Sequence, residues 1–498
     1  MALANGQCTG VLDGEALKKI TDSAAAVQKI VDAGEVVYGI NTGFGALAGK
    51  VINAADTATL QYKILQSHSV GVGEPLSLQL VRLMLITKLQ SLCQGHSGVR
   101  LQTVERMLWH LEQNVLPFVP EKGSVGASGD LAPLAHLFLP LIGLGKVWHE
   151  GAWKDSKEVL AHYGLLPLLL GPKEGLALIN GTQFIVAYAV QGVHRLQNCL
   201  DAADVIGAMS LEALTGTQAP FDDRVHQLRP FGGCITVANR LRNLLQGSAI
   251  IQSHIDCGRV QDPYSLRCMP QVHGASRNAW EHVKSLTEIE LNAVTDNPVL
   301  VDGGVAISGG NFHGQPLALP LDYATLAAAE LGNISDRRSY LLLEGKWGLP
   351  LLLMQDVGLN SGFMIPQYTT AALVTENKTL CFPASADSIP TSLGQEDHVS
   401  MGSISGRKLA KVLDNLEFIL GIELLTAAQA IEFRRPLQSS VLIQFAHSLV
   451  REQVSFAKED RVFAQDINAV ASIIQDFSFV NRVHDHAKTL GINMEDSR

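Results

Sequence analysis

The sequence predicts an all-α protein: a bundle of long helices joined to a loop-rich N-terminal part. Three observations carry this expectation. Apolar residues recur at helical spacing over long windows, alternating strand patterns are scarce, and segments rich in glycine and proline fall between the helical windows.

Residues 76–94 carry leucines at 76, 80, 83, 89 and 92 and run into Gly95, a natural helix stop. Helices are predicted over 101–114 and, longer, over 182–216. The window 321–344 is alanine-rich at its start and ends at Gly345. Residues 403–434 place Leu409, Val412, Leu413, Leu416, Ile419 and Leu420 on one stripe. At about 1.5 Å per residue that helix spans roughly 45 Å, the length of a bundle rod. A further helix fits 439–458. Loops are expected at 38–49, 123–133, 261–274, 308–316 and 359–401, and loops held by a rigid scaffold are where chemistry concentrates. Without repeats, low-complexity tracts or charged linkers, the chain divides softly near residue 200. The expected parts are a loop-rich helical domain over 1–200 and a long-helix bundle over 201–498.

The 498 residues would make roughly three ordinary domains, or one large helical architecture. Charged residues are 17% of the chain, against a usual figure of about 25%, and mean hydropathy is +0.16, so buried subunit contacts are expected. A net charge of -10 and a pI near 5.9 remove the basic face that nucleic acid requires. The N-terminal residues have no apolar core of the signal-peptide kind. The longest apolar stretch, 131–145, is broken by Pro133, His136 and Pro140, so no membrane segment is expected. Cys8, Cys93, Cys199, Cys234, Cys257, Cys268 and Cys381 are scattered and never spaced as C-x-x-C, which predicts a reduced, cytoplasmic chain.

Familiar templates fail. In residues 43–49 the third glycine falls one place late for a dinucleotide loop, and 123–129 lacks the Gly-Lys-Ser/Thr ending of a phosphate loop. Asp130 stands where a nucleophile elbow needs its second glycine. His484-Asp485-His486 reads as a solvated pair near the C-terminal end of the sequence, so no metal is predicted.

What remains is the segment 123–135, with Ala127-Ser128-Gly129 at its centre. Taken bare, these three residues are a small-residue turn. Gly129 has no side chain, however, so its nitrogen can approach the Ala127 carbonyl in a tight bend. Cyclisation with loss of water, followed by elimination of the Ser128 hydroxyl, leaves an exocyclic methylene on a five-membered ring. That is a strong electrophile made without an added cofactor.

With this triplet the sequence resembles the aromatic amino-acid ammonia-lyase family, whose members build a methylidene-imidazolone group from Ala-Ser-Gly. The resemblance extends through Tyr38-Gly-Ile-Asn-Thr-Gly-Phe-Gly45, Asn180-Gly-Thr-Gln183, Gln261-Asp-Pro-Tyr-Ser-Leu-Arg267, Gly309-Gly-Asn-Phe-His313, Gly358-Leu-Asn-Ser-Gly-Phe-Met364 and Gln395-Glu-Asp-His-Val-Ser-Met401. These motifs run in the family's order from about residue 20 to about residue 440. The histidine-specific branch fits best: Ser67-His68 stands where phenylalanine and tyrosine enzymes carry an apolar or mixed pair, and Gln395-Glu396-Asp397-His398 is similar to the bacterial histidine branch. A buried imidazole needs a partner at each nitrogen, each unpaired one costing about 1–3 kcal/mol, and His68 and Glu396 can supply them.

The resemblance implies conversion of L-histidine to trans-urocanate and ammonia. It implies that cyclised Ala127-Ser128-Gly129 captures the amine, that Tyr38 is the base, and that Arg267 binds the carboxylate. Asn180, Gln261 and Tyr264 are expected to hydrogen-bond the electrophile or substrate, Glu396 to take part in the chemistry, and Phe312 to line the pocket. It also implies a homotetramer whose sites combine residues of three subunits, with Tyr38 and Glu396 on different chains, and neither metal nor external cofactor. The alternatives are a tyrosine or phenylalanine lyase or aminomutase using the same electrophile, and an uncyclised, inactive helical assembly protein. The chain departs from the family pattern at Gln315, Met269 and His273. His273 adds a titratable ring close in sequence to Arg267, expected to alter substrate preference or pH response.

Overall fold

Asp13 starts the first helix by accepting from Ala16 N at 2.7 Å, and Gly14–Asp32 follows with Ile20, Val27 and Ile30 on its buried face. This is the pattern throughout the computed structural model, which describes residues 1–53, 56–255 and 258–494. The predicted helices form at Leu78–Cys93, Leu101–Glu112, Gln183–Ala213, Gly402–Glu432 and Val441–Gln453. Gly95, at φ +78°, stands just past the first of these. Strands among the described residues are short: Val72–Pro75 pairs with Pro120–Lys122, Lys146–His149 pairs with Leu116–Pro117 and Ala152–Asp155, and Val299–Val301 pairs with Val305–Ile307. The all-α reading holds.

Three boundaries differ from the sequence reading. The helix expected from residue 321 begins at Gln315 and carries Pro320 inside it. Residues 269–274, expected as loop, open the helix Met269–Leu291, and the expected loop 359–401 contains the helix Met364–Leu380. Pro270 and Pro366 lie in the first turns of these helices, where the missing N–H has no intrahelical partner to lose. Gly274, which reads as a breaker, serves close packing: a Cβ there would stand 2.5 Å from Cys234 N.

The chain forms two compact units that interleave along the sequence, whereas the sequence reading divides it once, near residue 200. The first unit comprises Met1–Gln191, Lys284–Asp322 and Pro383–Arg407. Within it the helices Thr57–His68, Leu131–Phe138 and Glu174–Ile179 pack against one another. Gln61 Oε1 accepts from Leu176 N at 3.2 Å, and buried Glu174 accepts from Arg100, Thr103 and Gly171. These bonds fix the ends of short helices that propensity alone would not hold.

The second unit comprises Gly192–Val283, Tyr323–Phe382 and Lys408–Arg498. The predicted stripe from Leu409 to Leu420 is fully buried in it, each leucine contributing about 1.5–3 kcal/mol. A buried ionic network threads this core: Asp204 meets Arg240 at 2.7 Å and Arg277 at 2.9 Å, and Glu423 meets Arg338 at 2.6 Å. Among the described residues no helix is long and apolar enough to cross a membrane. Cys8, Cys93, Cys199, Cys234, Cys268 and Cys381 are free thiols, and Cys257 lies outside the described residues.

Candidate active site

Ser128 and Gly129 occupy the left-handed region in succession, at φ 49° and 79°. For serine this conformation is strained by about 1–2 kcal/mol, so the surroundings must impose it. They do so through residues 180 and 181. Gly181 N donates to Ser128 O at 3.3 Å, and Asp130 N donates to Gly181 O at 2.7 Å. A Cβ on residue 129 would lie 2.1 Å from Gly181 O, so only glycine lets the two segments meet. Asp130 secures the far side: its fully buried carboxylate accepts from Phe184 N and Ile185 N, both at 3.0 Å, and from Ser124 Oγ at 3.3 Å. Burial outweighs these bonds and pushes its pKa up to about 7. Ala127 is buried beside Val399 and Met401.

The Ser128 side chain faces a cavity of about 580 Å³. Tyr38, Ser67, His68 and Glu396 line it with Ser128, against apolar walls from Ile64, Leu131 and Leu176. Ser128 Oγ donates to Glu396 Oε1 at 3.3 Å, and Thr391 Oγ1 donates to Glu396 Oε2 at 3.1 Å. Gly45 N donates to the Tyr38 hydroxyl at 3.2 Å. Burial and, secondarily, the Glu396 charge raise the Tyr38 pKa, while the Gly45 bond opposes them. His68 ends the helix Thr57–His68, with Ser67 Oγ 3.0 Å from its Nδ1. Burial depresses its pKa, so the ring is neutral at pH 7. A smaller adjoining cavity, about 240 Å³, also meets Ala127, His68 and Glu396.

Tyr38 and Glu396 were expected on different chains; both line one cavity of the same chain. The cause is local, since the turns Gly45–Leu47 and Ser392–Gly394 pack against each other and bring their loops together. The remaining predicted residues lie elsewhere. Buried Asn180 donates from Nδ2 to Asn297 O at 3.0 Å, while its Oδ1 has no hydrogen-bond partner among the described residues. Phe312 is half-buried in the loop before Gln315 and does not line the cavity. Gln261 is exposed, Tyr264 is 71% exposed, and the Arg267 guanidinium lies 4.6 Å from the Tyr264 ring centre. These three do not line the cavity either.

His273 is fully buried, with Nδ1 2.9 Å from Asp204 Oδ1 and Nε2 3.2 Å from Arg338 Nη1. Burial depresses its pKa, so the ring is a neutral link between opposite charges in the second unit's core. Met269 is fully buried, and Gln315 Nε2 donates to Ser385 O at 3.4 Å. Sequence reasoning missed Thr391, Gly45 and Asp130. Asp130 follows the triplet directly, a signal the pattern did carry.

The loop-borne triplet, set in a left-handed turn at the wall of a cavity, agrees with comparison to known proteins. The chain belongs to the aromatic amino acid lyase family, whose model matches residues 1–452, and whose members use a methylidene-imidazolone group. It is 50% identical over 482 residues to a histidine ammonia-lyase of Sorangium cellulosum, covering 95% of this chain and 94% of that protein. It is 46% identical over 483 residues to the histidine ammonia-lyase of Natranaerobius thermophilus, covering 96% and 94%. The solved histidine ammonia-lyase of Trypanosoma cruzi superposes with a TM-score of 0.90 at 42% identity, covering 97% of this chain and 92% of that one. A tyrosine aminomutase of Streptomyces globisporus superposes at 0.92 with 34% identity, covering 97% and 96%.

Proposed function

We propose that this chain is a histidine ammonia-lyase, converting L-histidine to trans-urocanate and ammonia with an electrophile made from its own Ala127, Ser128 and Gly129. The observation that carries this reading is the convergence of Ser128, Tyr38, His68 and Glu396 on one cavity. The Sorangium, Natranaerobius and Trypanosoma relatives support the same choice of substrate.

The triplet fits internal cyclisation, because two successive left-handed residues bend the chain and the close approach at Gly129 leaves no room for a side chain. Joining Gly129 N to the Ala127 carbonyl carbon expels one water. Loss of the Ser128 hydroxyl with its α-hydrogen expels a second. The resulting methylidene-imidazolone supplies an electrophile that makes the substrate's amine a better leaving group.

The other residues bind and move protons. Neutral His68 offers a ring donor or acceptor to one imidazole nitrogen of the substrate, and Glu396 accepts from the other. Tyr38 takes the β-proton, its phenolate favoured by Gly45 N–H. Arg267 meets the carboxylate with its planar fork. Asn180, Gln261 and Tyr264 supply further hydrogen bonds, and Phe312 an apolar wall. In a homotetramer whose sites combine three subunits, neighbouring copies bring Gln261, Tyr264 and Arg267 to the cavity. The reaction takes no external cofactor and no metal. The free thiols support a reducing, cytoplasmic setting, and the net charge of -10 argues against nucleic acid as a partner.

Ultraviolet assays of product formation from histidine, tyrosine and phenylalanine test the assignment. Histidine is expected to be turned over best; equal or better turnover of tyrosine would replace histidine with the tyrosine lyase or aminomutase reading.

A further inference from the structure

Lys88 lies in the middle of the helix Leu78–Cys93 and is 1% exposed; Met84, Leu85, Leu89 and Leu92 of the same helix are buried too. Burying an ammonium is expensive unless it is bonded, and this one donates to the backbone oxygen of Asn180 at 2.6 Å. Burial lowers its pKa to about 8, with Asp296 and Asp130 opposing and Lys173 adding to the shift. Lys173 is itself held by Asp296 at 2.5 Å, so the two buried lysines have separate partners.

The bonded carbonyl belongs to the peptide that joins Asn180 to Gly181. In a trans peptide the carbonyl oxygen and the amide hydrogen point in opposite directions. Fixing Asn180 O toward Lys88 therefore aims Gly181 N–H the other way, at Ser128 O, 3.3 Å off. Gly181 O then receives Asp130 N, so residues 128 and 130 are both tied to the segment that Lys88 anchors. Without the ammonium, Asn180 O would be a buried acceptor lacking a donor, and the peptide would gain by turning. Turning it removes the bond on Ser128 O and loosens the bend that ring closure needs.

We propose that Lys88 is a positioning residue for cyclisation of Ala127-Ser128-Gly129, acting through the Asn180-Gly181 peptide. The proposal rests on the electrophile reading above and adds a residue far from the reacting atoms in sequence. Lys88→Met removes the donor and preserves apolar volume, leaving Asn180 O short of a bond, so folding is read alongside cyclisation. Lys88→Gln keeps a neutral donor on a shorter side chain.

The test is the intact mass of purified, full-length wild type and both variants, with thermal unfolding and oligomer mass measured on the same samples. Wild type is expected to fall short of its sequence mass by two waters. Folded Lys88→Met is expected to show a cyclised fraction lower by about tenfold or more, with Lys88→Gln between the two. If Lys88→Met does not fold, Lys88→Gln decides: a partial deficit supports the proposal and a full one overturns it. Full deficits in both variants, or failure of both to fold, also overturn it. A wild type without the deficit instead overturns the electrophile reading itself, so the two failures are distinct.

Discussion

Ser128 Oγ donates to Glu396 Oε1 at 3.3 Å, linking two residues 268 positions apart, and the second Glu396 oxygen is held by Thr391. The carboxylate is thus fixed beside the triplet and within the cavity that His68 shares. A substrate imidazole that fits between His68 and Glu396 has both nitrogens bonded, whereas a phenyl ring offers the half-buried carboxylate no donor.

Glu396→Gln tests that match. It preserves shape but removes the charge, and kcat/KM for histidine is expected to fall about 10- to 100-fold, the worth of a charged hydrogen bond. Phenylalanine turnover should fall by less. Steady-state kinetics on both substrates decide, and equal losses would contradict the pairing.

Tyr38→Phe is expected to lower kcat by about 10²–10⁴-fold while leaving the two-water mass deficit intact, because it removes a base and not the triplet. Burial and Glu396 raise the Tyr38 pKa, so the active phenolate becomes more populated as pH rises. Wild-type kcat/KM should therefore increase on the alkaline side, and that limb should vanish in the variant.

Much of this was legible in the sequence. The long helices were visible because one buried stripe, such as Leu409 to Leu420, repeats over many turns. The helix Met269–Leu291 was not, because Pro270 and Gly274 speak for a loop while the reason for Gly274, its approach to Cys234, is tertiary. Tyr38, His68, Ser128 and Glu396 were named from motifs, and the structure gathers them. Their sharing one chain's cavity could not be read, since it depends on two short turns packing across more than three hundred residues of sequence. Lys88 escaped because a lone lysine in a leucine-rich helix reads equally as a solvated position until its bond to Asn180 is seen.

His273 stands out in the sequence as a titratable ring near Arg267, and in the structure that ring is locked between Asp204 and Arg338. His273→Ala should lower the unfolding midpoint, by the cost of buried partners left short of a bond, about 1–3 kcal/mol. KM for histidine should not change. A shift in substrate preference with unaltered stability would reverse this reading.

Leu319, Tyr323 and Leu326 lie on one face of the helix Gln315–Leu342 and are 57%, 47% and 51% exposed in the single chain. Such an apolar face on a long rod suits the proposed tetramer. Light scattering should give the mass of four chains for wild type and a smaller species for Leu326→Arg. A stable, active monomer would remove the shared-site model.

The central claim is that Ala127, Ser128 and Gly129 become the electrophile, and the mass of the intact wild-type chain tests it most directly. The sequence before and after cyclisation is the same, but each of the two steps expels a water. A mass two waters below that of the sequence, with the deficit located in the peptide carrying residues 127–129 and absent from Ser128→Ala, is the predicted result. A wild-type chain that releases urocanate at its full sequence mass would contradict the account.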